Sequence, residues 1–254
     1  MTVALRKAAA DVPPEAEAFY VDSLRQLKRS GLPFLVAGTY AVSAYTGVYR
    51  PTKDLDVFCK AGDYPRILNH FRELGYETEI EDERWIAKVR KGPLFFDVIF
   101  NSTAALAPVN DGWFEEAYTA KVCGLEVRIL PPTELVWSKA FLQDRERYDG
   151  ADVAHVILKQ HAAIDWKRLL SYMEQHWEVL LIHLLNFRFI YPSERDCIPR
   201  WLLDELLTRL KERADLPAPQ MRICRGRLFS RRDYAIDVEE WGFADVVGEA
   251  ASGA

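Results

Sequence analysis

Asp54 and Asp56 stand one residue apart in Asp54-Leu55-Asp56-Val57-Phe58, two like charges inside what otherwise reads as a buried strand. In an extended chain residues i and i+2 project from one face, so the two carboxylates point the same way, roughly 6 to 7 Å apart at the Cα level. A third carboxylate, Asp97, lies in Leu94-Phe95-Phe96-Asp97-Val98-Ile99-Phe100, with apolar residues on both sides. Burying an unpaired ionised carboxylate is costly, and like charges nearby raise the cost. Lysine or arginine could offset it, but converging carboxylates suit a divalent cation best, because oxygen ligands favour Mg²⁺. The plainer alternative leaves Asp54 and Asp56 solvated at a strand edge, with Asp97 capping a turn or paired with an arginine.

Upstream, Val36-Ala37-Gly38-Thr39 reads as the end of a strand and the start of a helix. Glycine lets backbone approach a ligand closely. A helix N-terminus offers unpaired N–H groups and a favourable dipole to an anion such as phosphate, and Thr39 adds a hydroxyl. Gly38 alone could equally serve a tight turn and nothing more. Arg50, Thr52 and Lys53 then lead directly into Asp54-Leu55-Asp56. An anion-binding turn beside a cation-binding strand is what a metal–nucleoside triphosphate complex requires.

These residues carry a resemblance to the polymerase-β-type nucleotidyltransferase superfamily, within it to the AbiEii-like and minimal nucleotidyltransferase branches. The opening form of those branches is G-[GST]-x-A-h followed by R-x-T-x-D-h-D, h being apolar. Gly38, Thr39, Ala41, Arg50, Thr52, Asp54 and Asp56 fall on it in register. Thr39 stands where Ser or Gly is usual and keeps the hydroxyl. A lysine and an acidic pair of the form D-x-x-D follow the sheet in these branches, and Lys139 with Asp149 and Asp152 keeps that order. The resemblance covers about residues 30 to 160. It implies two Mg²⁺ ions, with Mn²⁺ as a substitute, on Asp54, Asp56 and Asp97 as metal ligands and catalytic groups, Asp97 acting also as general base. It implies a nucleotide held by Gly38, Thr39, Arg50, Lys53, Lys139 and Asp152. The reaction expected is transfer of a nucleoside monophosphate from an NTP, such as ATP, to a hydroxyl of a small molecule, RNA or protein. Two other roles stay open: the toxin of a toxin–antitoxin pair, with an antitoxin-like partner, or a nucleotide-binding protein without catalysis. Lys139 could also be a solvated helix lysine, and Asp149 and Asp152 a capping pair.

The elements that would position these groups divide at Pro131-Pro132-Thr133, giving an α+β fold. Residues 14–130 read as a mixed-sheet nucleotidyltransferase domain. Helical spacing marks 14–30, 39–46 and 63–76, the second capped near Thr39 and the third by Asp63. Strands are expected at 33–38, at 54–59, at 125–130, and in a hairpin over 85–100 that turns at Lys91-Gly92-Pro93. Residues 131–215 read as a helical domain, with long helices over 133–148, 151–162, 165–191 and 199–214. Residues 216–254 form an extension with Arg222, Arg225, Arg227, Arg231 and Arg232, which could meet phosphates or strap back onto the body through Leu228, Phe229 and Trp241. The helix Trp177–Tyr191 could wall an acceptor pocket or fill a core.

The 254 residues, 49% of them hydrophobic, carry a net charge of -5, which argues against a general nucleic-acid coat. No apolar run reaches the ~20 residues of a membrane span, and the N-terminal MTVALRKAAADVPPEAEAF has no signal-peptide core. Cys59, Cys123, Cys197 and Cys224 are widely spaced, as reduced thiols in a cytoplasmic protein would be. His155, His161, His176 and His183 lie on expected helices without metal spacing and read as structural.

Overall fold

Alternation of apolar residues builds a sheet before it builds anything else in this chain. The computed structural model describes residues 12–101 and 109–246. The start of the N-terminal stretch read for a leader, residues 1–11, and the end of the extension, 247–254, lie outside them. The chain divides into two compact units between Leu135 and Val136.

The first unit holds a seven-stranded mixed sheet in the order β3-β4-β5-β2-β1-β7-β6. Its strands are β1 (Leu35–Val36), β2 (Asp56–Phe58), β3 (Glu77–Asp82), β4 (Ile86–Lys91), β5 (Leu94–Ile99), β6 (Tyr118–Val122) and β7 (Leu125–Ile129). Helix α1 (Pro14–Ser30) precedes the sheet, α2 (Gly38–Thr46) follows β1, α3 (Tyr64–Glu73) follows β2, and a short α4 (Asp111–Glu115) precedes β6. Phe96 of β5 packs against Phe71 of α3 and Phe19 of α1, with ring centroids 5.0 and 6.3 Å apart. Side chains alternate across a strand, so its neighbour Asp97 faces the other side of the sheet. Strand β2 runs antiparallel to β1 and parallel to β5.

Several sequence expectations need correction here. Strand β2 begins at Asp56, so Asp54 lies on the loop before it. Strand β3 was not foreseen: ETEIED shows no apolar alternation because it is an exposed edge strand, and its acidic side chains protect that edge from pairing with another chain. Strand β6 was also missed. Asp63 holds the N-cap position of α3 without a side-chain cap hydrogen bond, its carboxylate receiving Arg66 instead.

The second unit is mostly helical. Helix α5 (Pro132–Ala140) crosses from one unit into the other and stops well short of Tyr148. Its end has a cause: the Ala140 carbonyl accepts from His183 Nε2 at 2.8 Å and from Gln143 Nε2 at 3.1 Å. Helix α6 spans Gly150–Gln160. The long helix expected over 165–191 is broken into α7 (Trp166–Tyr172), a 3₁₀ turn at Glu174–His176 and α8 (Trp177–Ile190). Helix α9 (Arg200–Ala214) packs on α8, as does α6. One face of α8 is core, with Leu184 and Phe187 buried, while Ile182, Leu185 and Phe189 are exposed.

The extension forms a two-strand pair, β8 (Ile223–Cys224) with β9 (Ala244–Asp245), around a short α10 (Ala235–Glu239). Most of its arginines face protein partners. Arg227 meets Asp245 at 3.0 Å, Arg232 meets Glu146 at 2.9 Å, Arg225 lies 3.9 Å from Glu178, and Arg222 sits over the Phe243 ring. Leu228 is buried and Phe229 packs on Phe141, whereas Trp241 is exposed. None of the described helices is long and apolar enough to cross a membrane.

Candidate active site

Backbone pairing brings the three carboxylates together. Asp56 and Asp97 are direct register partners of the parallel β2–β5 pair, so their side chains stand side by side on one face. The Asp97 N–H donates to the Leu55 carbonyl at 3.0 Å, which draws the residue before β2 into the same ladder. Asp54 is fixed one step earlier: Thr52 Oγ1 donates to its Oδ1 at 3.0 Å. The loop carrying it is tied to α1, because the Tyr20 hydroxyl donates to the Lys53 carbonyl at 3.0 Å. One carboxylate oxygen from each of Asp54, Asp56 and Asp97 lies within 4.8 Å of the other two. The plainer reading, of solvated edge aspartates, does not describe this convergence.

The electrostatics follow. Burial pushes the Asp97 carboxyl up to about 6; Lys88 opposes this and Asp54 and Glu81 add to it. Tyr20 reports the same field, its phenol raised to about 12 by burial first and then by the charge of Asp54. Three carboxylates in so small a volume form a donor set of hard oxygens, the kind that a divalent cation neutralises. The donor set therefore fits a divalent cation, with Asp54, Asp56 and Asp97 as the residues that would hold it.

Gly38 closes the site from the β1 side. The Ala37 N–H donates to the Asp56 carbonyl at 2.9 Å, which sets Gly38 directly against Asp56. Its φ is +55°, in the left-handed region, and a Cβ placed there would lie 1.7 Å from Asp56 Oδ2. Only glycine meets both demands. Gly38→Ala is expected to displace the Asp56 carboxylate and cost at least about a hundredfold in turnover, with the helix content measured by circular dichroism unchanged. Wild-type turnover in that variant would remove Gly38 from the site. Thr39 follows in the first turn of α2, half-buried. Arg50 and Lys53 lie on the loop between α2 and β2, Arg50 half-buried and Lys53 exposed.

Lys139 and Asp152, expected at the nucleotide, are held in another arrangement. Lys139 is 4% exposed, and its Nζ lies 2.6 Å from Asp149 Oδ2 and 2.8 Å from Asp152 Oδ2. Burial pushes the Asp149 carboxyl up, but Lys139 and Arg147 outweigh it and hold it below the usual range. Asp149 is the N-cap residue of α6 without a side-chain cap hydrogen bond, so the alternative of a capping pair does not describe it. The three residues form a buried ion triad joining α5 to α6.

Two residues beside the carboxylates escaped the sequence reading. Lys88 of β4 is the register partner of Asp97, with Nζ 3.1 Å from Asp97 Oδ1 and 2.6 Å from Glu81 Oε2. Counting outward from the turn at Gly92-Pro93 would have found it, since Lys91 opposes Leu94 and the pairing then runs back to Lys88 opposite Asp97. Glu81 carried no signal, because its strand has no apolar pattern.

The sequence matches no curated protein. Among solved structures it is similar to lincosamide antibiotic adenylyltransferase LnuA in its lincomycin-bound form, at 14% identity over 57% of this chain and 97% of that one, TM-score 0.41. It is also similar to ANT(2'')-Ia in complex with adenylyl-2''-tobramycin, at 17% identity over 70% and 99% of the two chains, TM-score 0.41. An antigenic nucleotidyltransferase-like protein from Paracoccidioides brasiliensis shows 16% identity over 72% and 91%, TM-score 0.43. The family described as "Nucleotidyl transferase of unknown function (DUF2204)" matches residues 17–183, well over half of the chain, and the chain belongs to that family of nucleotidyltransferases.

Proposed function

We propose that this nucleotidyltransferase is metal-dependent and moves a nucleoside monophosphate from an NTP to an acceptor hydroxyl, releasing pyrophosphate. The observation that carries the reading is the convergence of Asp54, Asp56 and Asp97 within 4.8 Å, directly against the Gly38 turn. Asp54, Asp56 and Asp97 would hold Mg²⁺, which when bound supplies Lewis acidity to phosphoryl oxygens and charge neutralisation for an in-line displacement. Gly38 and Thr39 receive the triphosphate at the start of α2, where the backbone amides face an anion without competition from a Cβ. Arg50 and Lys53 add positive charge on the loop that enters the site.

Asp97 takes the acceptor's proton. In the metal-free protein burial raises its carboxyl to about 6, so it is ionised near neutrality and able to accept a proton or hold a cation. As the acceptor oxygen bonds to the α-phosphorus, the bond to the β-phosphate oxygen breaks and the hydroxyl proton passes to Asp97. Lys139 and Asp152 serve the architecture of the second unit in this reading, their charges being satisfied by each other and Asp149.

The test is labelling with each α-labelled NTP, with and without Mg²⁺, against three acceptor pools: hydroxylated antibiotics, RNA and protein. Label is expected on one pool, with one NTP preferred, and no transfer in EDTA. Equal transfer in EDTA would contradict the metal dependence. Absence of label from every pool with every NTP would contradict the transfer.

A further inference from the structure

Lys88 has a place in the site that the carboxylate reading leaves unused. It projects from β4 opposite Asp97, on the face of the sheet that carries Asp56 and Asp97. Its ammonium sits over the Phe95 ring, 4.9 Å from the centroid. The side chain is 14% exposed, so solvent gives it little competition for partners. Its Nζ spans Asp97 Oδ1 at 3.1 Å and Glu81 Oε2 at 2.6 Å.

Glu81 lies where the register of the β3–β4 pair shifts. In regular pairing Glu79 opposes Lys88, but Glu79 meets Arg90 at 3.2 Å instead. Between Ile80 and Asp82 the register shifts: Ile80 pairs with Ala87 and Asp82 with Ile86, leaving Glu81 as the extra residue of a β-bulge. A bulge re-aims the side chain it carries. Here it accompanies an acidic anchor for Lys88 on an otherwise solvent-facing edge strand.

Resting on the proposed reading of the carboxylates as metal ligands, we infer that Lys88 is a positioning residue, held by the bulged Glu81, that fixes the rotamer of Asp97 by gripping Oδ1 and leaves Oδ2 to face the metal and the acceptor. A carboxylate held at one oxygen presents the other in a single direction. Partners of this kind commonly cost 10- to 100-fold, as an order of magnitude, when removed. Lys88 also carries charge of the same sign as the cation, so its contribution is to geometry and not to cation affinity.

These two effects have opposite signs, which makes the inference testable in the full-length protein. In Lys88→Met, kcat is expected to fall about 10- to 100-fold with KM for the NTP changed less than about threefold. Mn²⁺ affinity, measured by calorimetry without nucleotide, is expected to hold or rise several-fold. Lys88→Arg keeps the charge and a donor fork and is expected to recover most of kcat; Glu81→Gln is expected to fall between wild type and Lys88→Met. An unchanged kcat in Lys88→Met overturns the inference. So does an Arg variant as slow as the Met variant, or Mn²⁺ affinity falling in step with melting temperature, which would mark a structural role only. Wild-type protein whose Mn²⁺ binding is absent, or is indifferent to Asp54→Asn, overturns the metal reading itself, and is distinguishable from a failure of Lys88 alone.

Discussion

Asp54→Asn and Asp56→Asn are each expected to lose at least about a thousandfold in turnover while keeping the fold. The physical reason is that, in the proposed reading, each of the three carboxylates whose oxygens lie within 4.8 Å of one another supplies a ligand to the cation. Asparagine matches aspartate in shape, so β2 and its ladder to β5 are undisturbed, but one full charge and one strong oxygen donor disappear. The two variants should also be no less stable than wild type in metal-free buffer, because removing one of several crowded like charges relieves repulsion. Turnover is read from transfer of label in the presence of saturating Mg²⁺, and stability from thermal melting in EDTA. Activity within about tenfold of wild type in either variant contradicts the assignment of that residue as a ligand.

The second large effect is on stability and comes from Lys139. Removing one member of a buried ion group leaves the others charged and uncompensated, at a cost of about 3 to 5 kcal/mol. Lys139→Met takes the ammonium away from the buried Asp152 and Asp149, Arg147 remaining 3.4 Å from Asp149 Oδ2. For a chain of this size such a loss corresponds to roughly 10 to 15 °C in melting temperature. The triple variant Lys139→Met, Asp149→Asn, Asp152→Asn should recover much of it, since replacing a whole buried ion group with neutral residues is often close to neutral. Near-UV circular dichroism melts of the single and triple variants check both statements. If Lys139→Met instead melts as wild type does and loses only activity, the ammonium serves the nucleotide, as the family resemblance implies, and not the joint between α5 and α6.

The site was more legible in the sequence than its surroundings, for reasons visible in particular residues. Asp54, Asp56 and Asp97 stood out because a charge in an apolar run conflicts with burial, and a conflict of that kind can be seen without coordinates. Gly38 was visible as a turn glycine, but its actual constraint, the Asp56 carboxylate where a Cβ would be, depends on the pairing of β1 with β2. The hairpin of β4 and β5 was legible from Gly92-Pro93 and apolar runs on either side. Strand β3 was hidden because an exposed edge strand needs no apolar face, and Glu81 was hidden with it. Helix α5 looked longer than it is because Leu142 to Tyr148 has no strong breaker; the stop is supplied from α8, forty residues later, by His183. Resemblance and order along the chain imply Lys139 as a phosphate partner. Its burial between two aspartates is a property of packing that spacing alone does not reveal.

In the proposed function the Gly38 turn and the three carboxylates together hold a metal–nucleotide complex. Calorimetric titration of wild-type protein and Asp56→Asn with each NTP, in Mg²⁺ and again in EDTA, tests it most directly. At least one NTP is expected to bind to wild type in Mg²⁺, and this binding to be lost both in EDTA and in Asp56→Asn. Binding that survives EDTA and the substitution unchanged, or no binding of any NTP in Mg²⁺, would contradict it.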